Sequence, residues 1–273
     1  MTRTPAFVEI LNPALRRGGF RAVLFDFDGT LSFLREGWSH IMMEMMVGVL
    51  RETPRAEPME DLVRLVDSFI MRLNGKSTIH QMTQLADEVT QRGGTPLEPL
   101  QYKQIYVTAL MRLVDQRRAA VASGQAAVQD WTVPGSFQLL DLLRGRGLPL
   151  TLASGTDHVH VLHEAKLLGL TPYFGQYLFA PVHEQDGFSK QGVIADKLRR
   201  LGLSGAALLS FGDGMVETLE VKKAGGTAIG VASELGQPGT INPWKRRQLV
   251  EAGADAIVAD YTQAEELVTW LCH

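Results

Sequence analysis

Two aspartates that follow a short apolar segment near the N-terminus are spaced so that they could share one chemical task. The segment Arg21 to Phe27 reads RAVLFDF, and Asp26 and Asp28 stand one residue apart in DFDGT. Side chains alternate along an extended strand, so both carboxylates should leave the strand on the same side. Such a pair repels itself unless a cation or a proton lies between the two groups. The alternative is a turn at Asp28-Gly29 that merely ends the strand.

Further polar groups follow other apolar segments of the chain. ALLSF is followed by Gly212-Asp213-Gly214, with Glu217 one helical turn later, and LPLTLAS leads into Ser154-Gly155-Thr156. Lys190 follows Ser189 at the start of a predicted helix. Carboxylate oxygens suit Mg²⁺, whereas a hydroxyl, backbone N–H groups and an ammonium can hold phosphate oxygens. Taken singly, the serine is equally typical of a helix cap and the lysine of a solvated side chain.

The elements that must position these groups alternate between strand and helix. Short apolar segments such as LPLTLAS, ALLSF, TAIGVAS and DAIVAD are separated by segments with helical periodicity, such as GVIADKLRRLG and ETLEVKKAG. This alternation predicts an α/β fold, a Rossmann-like parallel sheet with helices on both faces. Ligands of such sheets bind outside the carboxyl ends of the strands, which is where the polar groups stand.

A long segment between the first strand and the alternating half has a different character. From about Leu34 to about Thr132 its apolar residues recur at helical spacing, and no segment there is typical of a strand. Pro134 and Gly135 mark the return to the sheet. We therefore predict a core domain of residues 1–33 and 134–273 and an inserted helical domain of residues 34–133.

The composition limits the classes of partner and the compartment. The chain has 273 residues, 45% of them hydrophobic, and a formal net charge of −3, which disfavours nucleic acid or an anionic membrane as the main partner. Its single cysteine excludes an internal disulfide framework and fits a reducing cytoplasm. The sequence contains no segment of about 18 apolar residues, so it predicts no membrane span. The oligomeric state is not predicted.

The order of these motifs along the chain is more specific than any one of them. DFDGT, a strand-ending serine, a lysine, and a strand-ending GDG with a further acid resemble the four signature motifs of the haloacid dehalogenase-like hydrolase superfamily. The resemblance covers about Arg21 to Thr30 and about Pro134 to the C-terminus. The inserted helical domain is similar to the α-helical cap of phosphoglycolate-phosphatase-like and β-phosphoglucomutase-like members.

The resemblance implies a catalytic role for each aspartate of the first motif. Asp26 would attack phosphorus to form an aspartyl-phosphate. Asp28 would protonate the leaving oxygen and later activate the water that cleaves the intermediate. The implied activity is hydrolysis of a small phosphomonoester, of the sugar phosphate or phosphoglycolate type.

The resemblance also implies a magnesium cofactor and a phosphate site. The side chains of Asp26 and Asp213 and the backbone carbonyl of Asp28 would hold Mg²⁺. Glu217 stands where many members have aspartate, so both direct contact with the metal and contact through water stay open. The phosphoryl oxygens would be bound by a further set of residues, Ser154, Gly155, Lys190 and Thr30.

Substrate choice is predicted from two basic residues of the insertion. Arg35 and Lys76 are the candidates to contact the leaving group, against the alternative of ordinary surface charge. A phosphomutase would share every core residue, and a non-catalytic binding module on the same scaffold is the remaining alternative. The histidines in DHVHVLH are interpreted as solvated or packed on a helix rather than as a zinc site.

Overall fold

The computed structural model of the chain describes residues 4–74, 76–182 and 188–273, and its centre is a seven-stranded sheet. The strands are β1 (Glu9–Ile10), β2 (Ala22–Phe25), β3 (Leu150–Ala153), β4 (Leu178–Phe179), β5 (Leu208–Gly212), β6 (Thr227–Val231) and β7 (Ala256–Val258). Their spatial order is β1-β7-β6-β5-β2-β3-β4. β1 pairs antiparallel with β7, and the other neighbours pair in parallel. The α/β prediction is confirmed.

Helices connect the strands and fill the insertion. Those of the insertion are α1 (Trp38–Arg51), α2 (Met59–Leu73), α3 (Thr78–Gln91) and α4 (Pro99–Ala122). Those among the strands are α5 (Ser136–Gly145), α6 (His158–Leu167), α7 (Thr171–Phe174), α8 (Lys190–Leu201), α9 (Met215–Lys223), α10 (Pro243–Glu251) and α11 (Ala264–Cys272).

Alternating side chains of the central strand divide the core between the two faces of the sheet. Val23 and Phe25 belong to a large apolar cluster that also contains residues of α5, α6 and α11. Ala22 and Leu24 point the other way, into a smaller cluster with Ile194 of α8 and Val221 of α9. Each face is thus covered by helices, which is why β2 is apolar throughout.

The four insertion helices have an apolar core of their own. Buried side chains from each helix form one cluster, which includes Met42, Met46, Val66, Leu85 and Leu110. Helix periodicity is what made this segment recognisable, because each helix buries one stripe of side chains. We propose that residues 34–133 are a separate domain, and we refer to α1–α4 below as the helical insertion.

Two linkers connect the helical insertion to the sheet, and they are hydrogen-bonded to each other. The first linker, residues 33–37, precedes α1, and the second, residues 123–135, follows α4. The N–H of Phe33 donates to the carbonyl of Trp131 at 2.9 Å. Arg117 of α4 lies over the Trp131 ring at 4.7 Å, and its guanidinium donates to three carbonyls of the first linker. Those carbonyls belong to Phe33, Leu34 and Glu36, at 3.2, 3.0 and 2.7 Å. The chain therefore enters and leaves the insertion through one paired ribbon.

Some elements of the sheet domain, β1 and α10 among them, do not follow from the sequence patterns. β1 has two residues, too few for any periodicity. α10 has no clear apolar stripe, although Asn242 caps it by accepting from the N–H of Lys245 at 3.0 Å and Pro243 is its first residue. Within the described ranges, no helix has the length and apolar character needed to cross a membrane.

Candidate active site

A cavity lies between the carboxyl ends of the strands and the helical insertion. Its floor comes from the loops after β2, β3 and β5 and from the start of α8, and includes Asp26, Asp28, Ser154, Lys190 and Asp213. Its roof comes from the insertion and includes Met42, Lys76, Gln81, Tyr106 and Leu110. The topology thus brings together motifs that are up to 187 residues apart in the sequence, because parallel neighbours end at the same edge.

Three buried carboxylates form a cluster on the floor. One oxygen from each of Asp26, Asp213 and Glu217 lies within 4.8 Å of the others, and all three residues are less than 8% exposed. Burial raises the pKa of Asp26 to about 7, against the lowering effect of Lys190. Burial also raises the pKa of Asp213 well above its usual range. A divalent cation bound here would offset the burial of these charges, so the donor set fits Mg²⁺.

Lys190 supplies a positive charge inside this cluster. Its ammonium donates to Oδ1 of Asp26 at 2.7 Å and to Oε2 of Glu217 at 2.9 Å. Burial alone would lower the pKa of Lys190, but the two carboxylates raise it above its ordinary value. The lysine therefore stays charged beside Asp26, where it can also offset the charge of an anionic ligand.

Asp28 stands apart from this cluster and has a different environment. Its Oδ2 accepts from the hydroxyl of Thr156 at 2.8 Å, and its Oδ1 is 3.8 Å from Nε of Arg35. Among the described residues, Oδ1 is buried without a hydrogen-bond partner. Burial raises the pKa of Asp28 to about 6, although Arg35 opposes this. A carboxyl with one anchored oxygen and one that lines a cavity can donate a proton to a ligand there.

The residues predicted to bind phosphate are placed unequally. Ser154 and Gly155 line the cavity, and the Ser154 hydroxyl accepts from the N–H of Thr156 at 3.1 Å. Thr30 is fully buried and is not one of the described residues that line the cavity. Its carbonyl accepts from the hydroxyl of Tyr261 at 3.1 Å, because the turn after Asp28 folds back into the core. The predicted role of Thr30 thus lacks support from the geometry.

Arg35 lies in the cavity wall, but it is not a surface charge. It is 6% exposed, and its Nη2 and Nε donate to the buried Glu164 of α6 at 2.6 and 3.1 Å. Arg118 of α4 also donates to Glu164. Two cations on one carboxylate give Arg35 a fixed position beside Asp28. No sequence pattern distinguishes Glu164 from the other acids of the predicted helices.

Lys76 lines the roof and is exposed, unlike Arg35. Lys103 of α4 also lines the cavity and pairs with Asp157 at 3.3 Å. Among the three histidines of α6, His160 is a lining residue and lies 3.5 Å from Arg118. The upper part of the cavity is therefore basic, with apolar side chains between the cations.

Lys245 of α10 is a buried lysine that the sequence analysis missed. Its ammonium lies 3.0 Å from Oε2 of Glu36, 3.4 Å from Oδ2 of Asp213 and 3.3 Å from the hydroxyl of Ser233. The residue is 2% exposed. The cap signature of Asn242-Pro243 could have located the helix, but nothing local distinguishes a lysine that is buried against distant acids.

Gly29, which follows Asp28, allows the first motif to approach Asp213. Its φ is +72°, and a Cβ at this position would overlap Oδ2 of Asp213 and lie 2.9 Å from the ammonium of Lys245. A side chain there would be strained and would also push against the carboxylate cluster.

Replacing Gly29 with alanine is expected to lower both stability and activity. The left-handed backbone alone costs about 1 kcal/mol, and the overlap with Asp213 should add about 1–2 kcal/mol more. Gly124→Ala is the matched control, because Gly124 has φ +74° with nothing within 4 Å of the added Cβ. Urea denaturation of the two variants should show the larger loss for Gly29→Ala. Equal losses would contradict a contact at Asp213.

The fold of the chain is similar to the folds of several solved structures. The chain is similar to a predicted phosphoglycolate phosphatase from Haemophilus somnus, with a TM-score of 0.58 and 15% identity, over 91% of this chain and 98% of the other. It is similar to a β-phosphoglucomutase from Clostridium difficile, with a TM-score of 0.59 and 13% identity, over 89% and 92%. It is also similar to a HAD hydrolase of family IA, variant 3, from Entamoeba histolytica, with a TM-score of 0.59 and 19% identity, over 93% and 100%.

The sequence comparisons give a family. No curated protein sequence matches the chain. A family model described as haloacid dehalogenase-like hydrolase matches residues 20–225. That range is more than half of the chain, and it contains the strand-ending motifs, the helical insertion and Lys190. The chain belongs to the haloacid dehalogenase-like hydrolase family.

Proposed function

We propose that this hydrolase is a Mg²⁺-dependent phosphatase that cleaves a small phosphomonoester through an aspartyl-phosphate on Asp26. The observation that supports it best is the difference between the environments of two aspartates at one cavity. Asp26 lies in a buried cluster with Asp213, Glu217 and Lys190, whereas one oxygen of Asp28 has no hydrogen-bond partner among the described residues. A nucleophile beside a cation site and a proton donor two residues away suit two-step phosphoryl transfer.

In the first step a carboxylate oxygen of Asp26 attacks phosphorus as the bond to the substrate's leaving oxygen breaks. The proton on Oδ1 of Asp28 passes to that leaving oxygen, so that an alcohol departs rather than an alkoxide. Lys190, Ser154 and the backbone N–H of Gly155 bind the phosphoryl oxygens. Their contribution is greatest in the transition state, when charge on those oxygens is spread and desolvated.

In the second step Asp28, now ionised, takes a proton from a water molecule as that water attacks the phosphorus of the aspartyl-phosphate. The bond between phosphorus and Asp26 breaks, which releases inorganic phosphate and restores both aspartates. Thr156 and Arg35 keep the Asp28 carboxyl oriented through both proton transfers, because each lies against a different oxygen of that carboxyl.

The side chains of Asp26 and Asp213 and the backbone carbonyl of Asp28 would hold Mg²⁺, with Glu217 completing the acidic cluster. When bound there, Mg²⁺ supplies Lewis-acid charge that reduces repulsion between the nucleophile and the phosphate. Glu217 also accepts from Lys190 and from the N–H of Gly214, so it fixes the position of the lysine.

The test is phosphate release from a panel of sugar phosphates, phosphoglycolate, nucleotides and an aryl phosphate, with and without Mg²⁺. Release that requires Mg²⁺ and fails in Asp26→Asn supports the proposal. Transfer of phosphate between two positions of a sugar phosphate, without net release, would overturn hydrolysis in favour of a mutase. A chain that consumes no member of the panel, but binds one of them equally well before and after Asp26→Asn, would be a binding module.

For the leaving group we propose a small anionic or polyhydroxy moiety that Lys76 contacts from the roof. Lys76→Ala is expected to raise KM by about tenfold for a substrate with an anionic leaving group, such as phosphoglycolate. It is expected to leave KM unchanged for an aryl phosphate whose leaving group carries no charge. Lys166→Ala, an exposed lysine of α6, is the control. Equal effects on both substrates would refute a contact with the leaving group. Arg35 is assigned to the Asp28 side of the cavity, where Glu164 holds it.

A further inference from the structure

We propose that Glu36 and Lys245 form a positioning pair that sets how tightly Asp213 holds a divalent cation. The pair thereby links the metal site to the first linker of the helical insertion. The inference rests on the magnesium site of the proposed function. Lys245 lies beyond residues 20–225, the part of the chain that the family model matches. Neither residue belongs to the motifs described above.

The contacts of the Lys245 ammonium define the pair. It lies between two carboxylates, nearer to Glu36 at 3.0 Å than to Asp213 at 3.4 Å. The Ser233 hydroxyl, at 3.3 Å from the ammonium, donates in turn to the carbonyl of Gly29 at 2.6 Å. Lys245 therefore reaches both the first motif and the Asp213 loop from a helix outside both.

The position of this charge affects the affinity of Asp213 for a cation. A lysine that paired with Asp213 alone would occupy Oδ2 and repel an incoming divalent ion. Glu36 shares the ammonium and draws it toward the linker, which leaves Asp213 more available. The side chains of Lys245 and Glu36 are 3% and 20% exposed. Solvent therefore screens only in part the competition of Glu36 and Asp213 for the ammonium.

The pair also connects the metal site to the helical insertion. Glu36 lies on the first linker, and its carbonyl accepts from Arg117 of the insertion at 2.7 Å. Trp244, which precedes Lys245 in α10, donates to Asp67 of α2 at 2.9 Å and packs edge-to-face on Trp38. Glu36 can pair with Lys245 only when the first linker lies against α10. By linkage, a cation bound at Asp213 favours this position of the linker by the same free energy with which the position favours cation binding.

The experiment is calorimetric titration of Mg²⁺ into metal-free protein without substrate, so that activity is not the readout. Glu36→Gln is expected to raise the Kd for Mg²⁺ about fivefold, the lower end of coupling between sites. Lys245→Met is expected to bind Mg²⁺ at least as tightly as the wild type. The double variant should match Lys245→Met within about twofold, because Glu36 acts through Lys245.

Controls separate this inference from the proposed function. Glu44→Gln, an exposed change of the same charge on α1, should leave the Kd unchanged. An unchanged Kd in Glu36→Gln, or the same fivefold loss in the Lys245→Met background, would overturn the positioning pair. The single Glu36→Gln variant decides the matter if Lys245→Met fails to fold. A wild type that takes up no Mg²⁺ would instead overturn the magnesium site itself.

Discussion

Asp26→Asn is expected to reduce phosphate release by at least about 10³-fold while the protein stays folded. The amide keeps the shape of the side chain but replaces the nucleophilic carboxylate, which lies 2.7 Å from the Lys190 ammonium. Glu217 remains to pair with that lysine, so the substitution leaves no buried ammonium alone. The loss should therefore be in kcat and not in folding.

The raised pKa of Asp26 predicts the direction in which Asp26→Asn changes stability. Burial raises the pKa of Asp26 to about 7 in the folded protein, above the value near 4 of an unfolded chain. An aspartate shifted in this direction destabilises the fold as pH rises from about 4 to about 7, since the folded state resists losing the proton. In the absence of Mg²⁺ at pH 8, Asp26→Asn should melt at or above the Tm of the wild type.

The control for this variant is another aspartate that lines the same cavity. Asp157→Asn removes a carboxylate that pairs with Lys103 and lies outside the acidic cluster. It should retain phosphate release within about threefold, as expected for a partly exposed ion pair. Asp26→Asn with more than a tenth of wild-type activity would refute the covalent intermediate.

The parts of the site that could be predicted from the sequence are those fixed by local position. Asp26, Ser154 and Asp213 follow apolar segments, and a parallel sheet places all such positions at one edge. The same alternation of strands and helices predicted the fold class. These predictions needed no knowledge of how helices pack, only of where each strand ends.

The parts that could not be predicted depend on packing between distant elements. Lys245 and Glu164 are ordinary residues of helices until α10 and α6 bring them against Asp213 and Arg35. Arg35 and Lys76 looked alike as basic residues of the insertion, yet one is buried between carboxylates and the other is exposed. Thr30 shares a motif with Asp28, but its carbonyl accepts from Tyr261 in the core and it does not line the cavity, so its role toward phosphate stays a prediction.

The burial of three carboxylates in the site explains why a cation lies beside each of them. Asp26, Asp28 and Asp213 all have raised pKa values because burial disfavours their ionised forms. Each is met by a cation from a different element: Lys190 from α8, Arg35 from the first linker and Lys245 from α10. Unpaired, each buried carboxylate would be costly, so these partners stabilise the site in the absence of metal.

Asp28→Asn should separate the two chemical steps, because its effect depends on the leaving group. An alkyl phosphate needs a proton on its leaving oxygen, so its cleavage should fall by about 10²–10⁴-fold. An aryl phosphate with an acidic phenol can leave without that proton, and the first step should proceed. The second step still lacks its base, so the aspartyl-phosphate should accumulate on Asp26.

Rapid quench of Asp28→Asn with the aryl phosphate should therefore show a burst of about one phenol per active site, with inorganic phosphate released far more slowly. Thr156→Val is the matched control, because it removes only the hydrogen bond to Oδ2 of Asp28 and keeps the carboxyl. It should slow both substrates by a similar modest factor and show no burst. If Asp28→Asn slows alkyl and aryl phosphates equally and gives no burst, Asp28 does not transfer the proton. Its raised pKa and its unpartnered oxygen would then reflect burial alone.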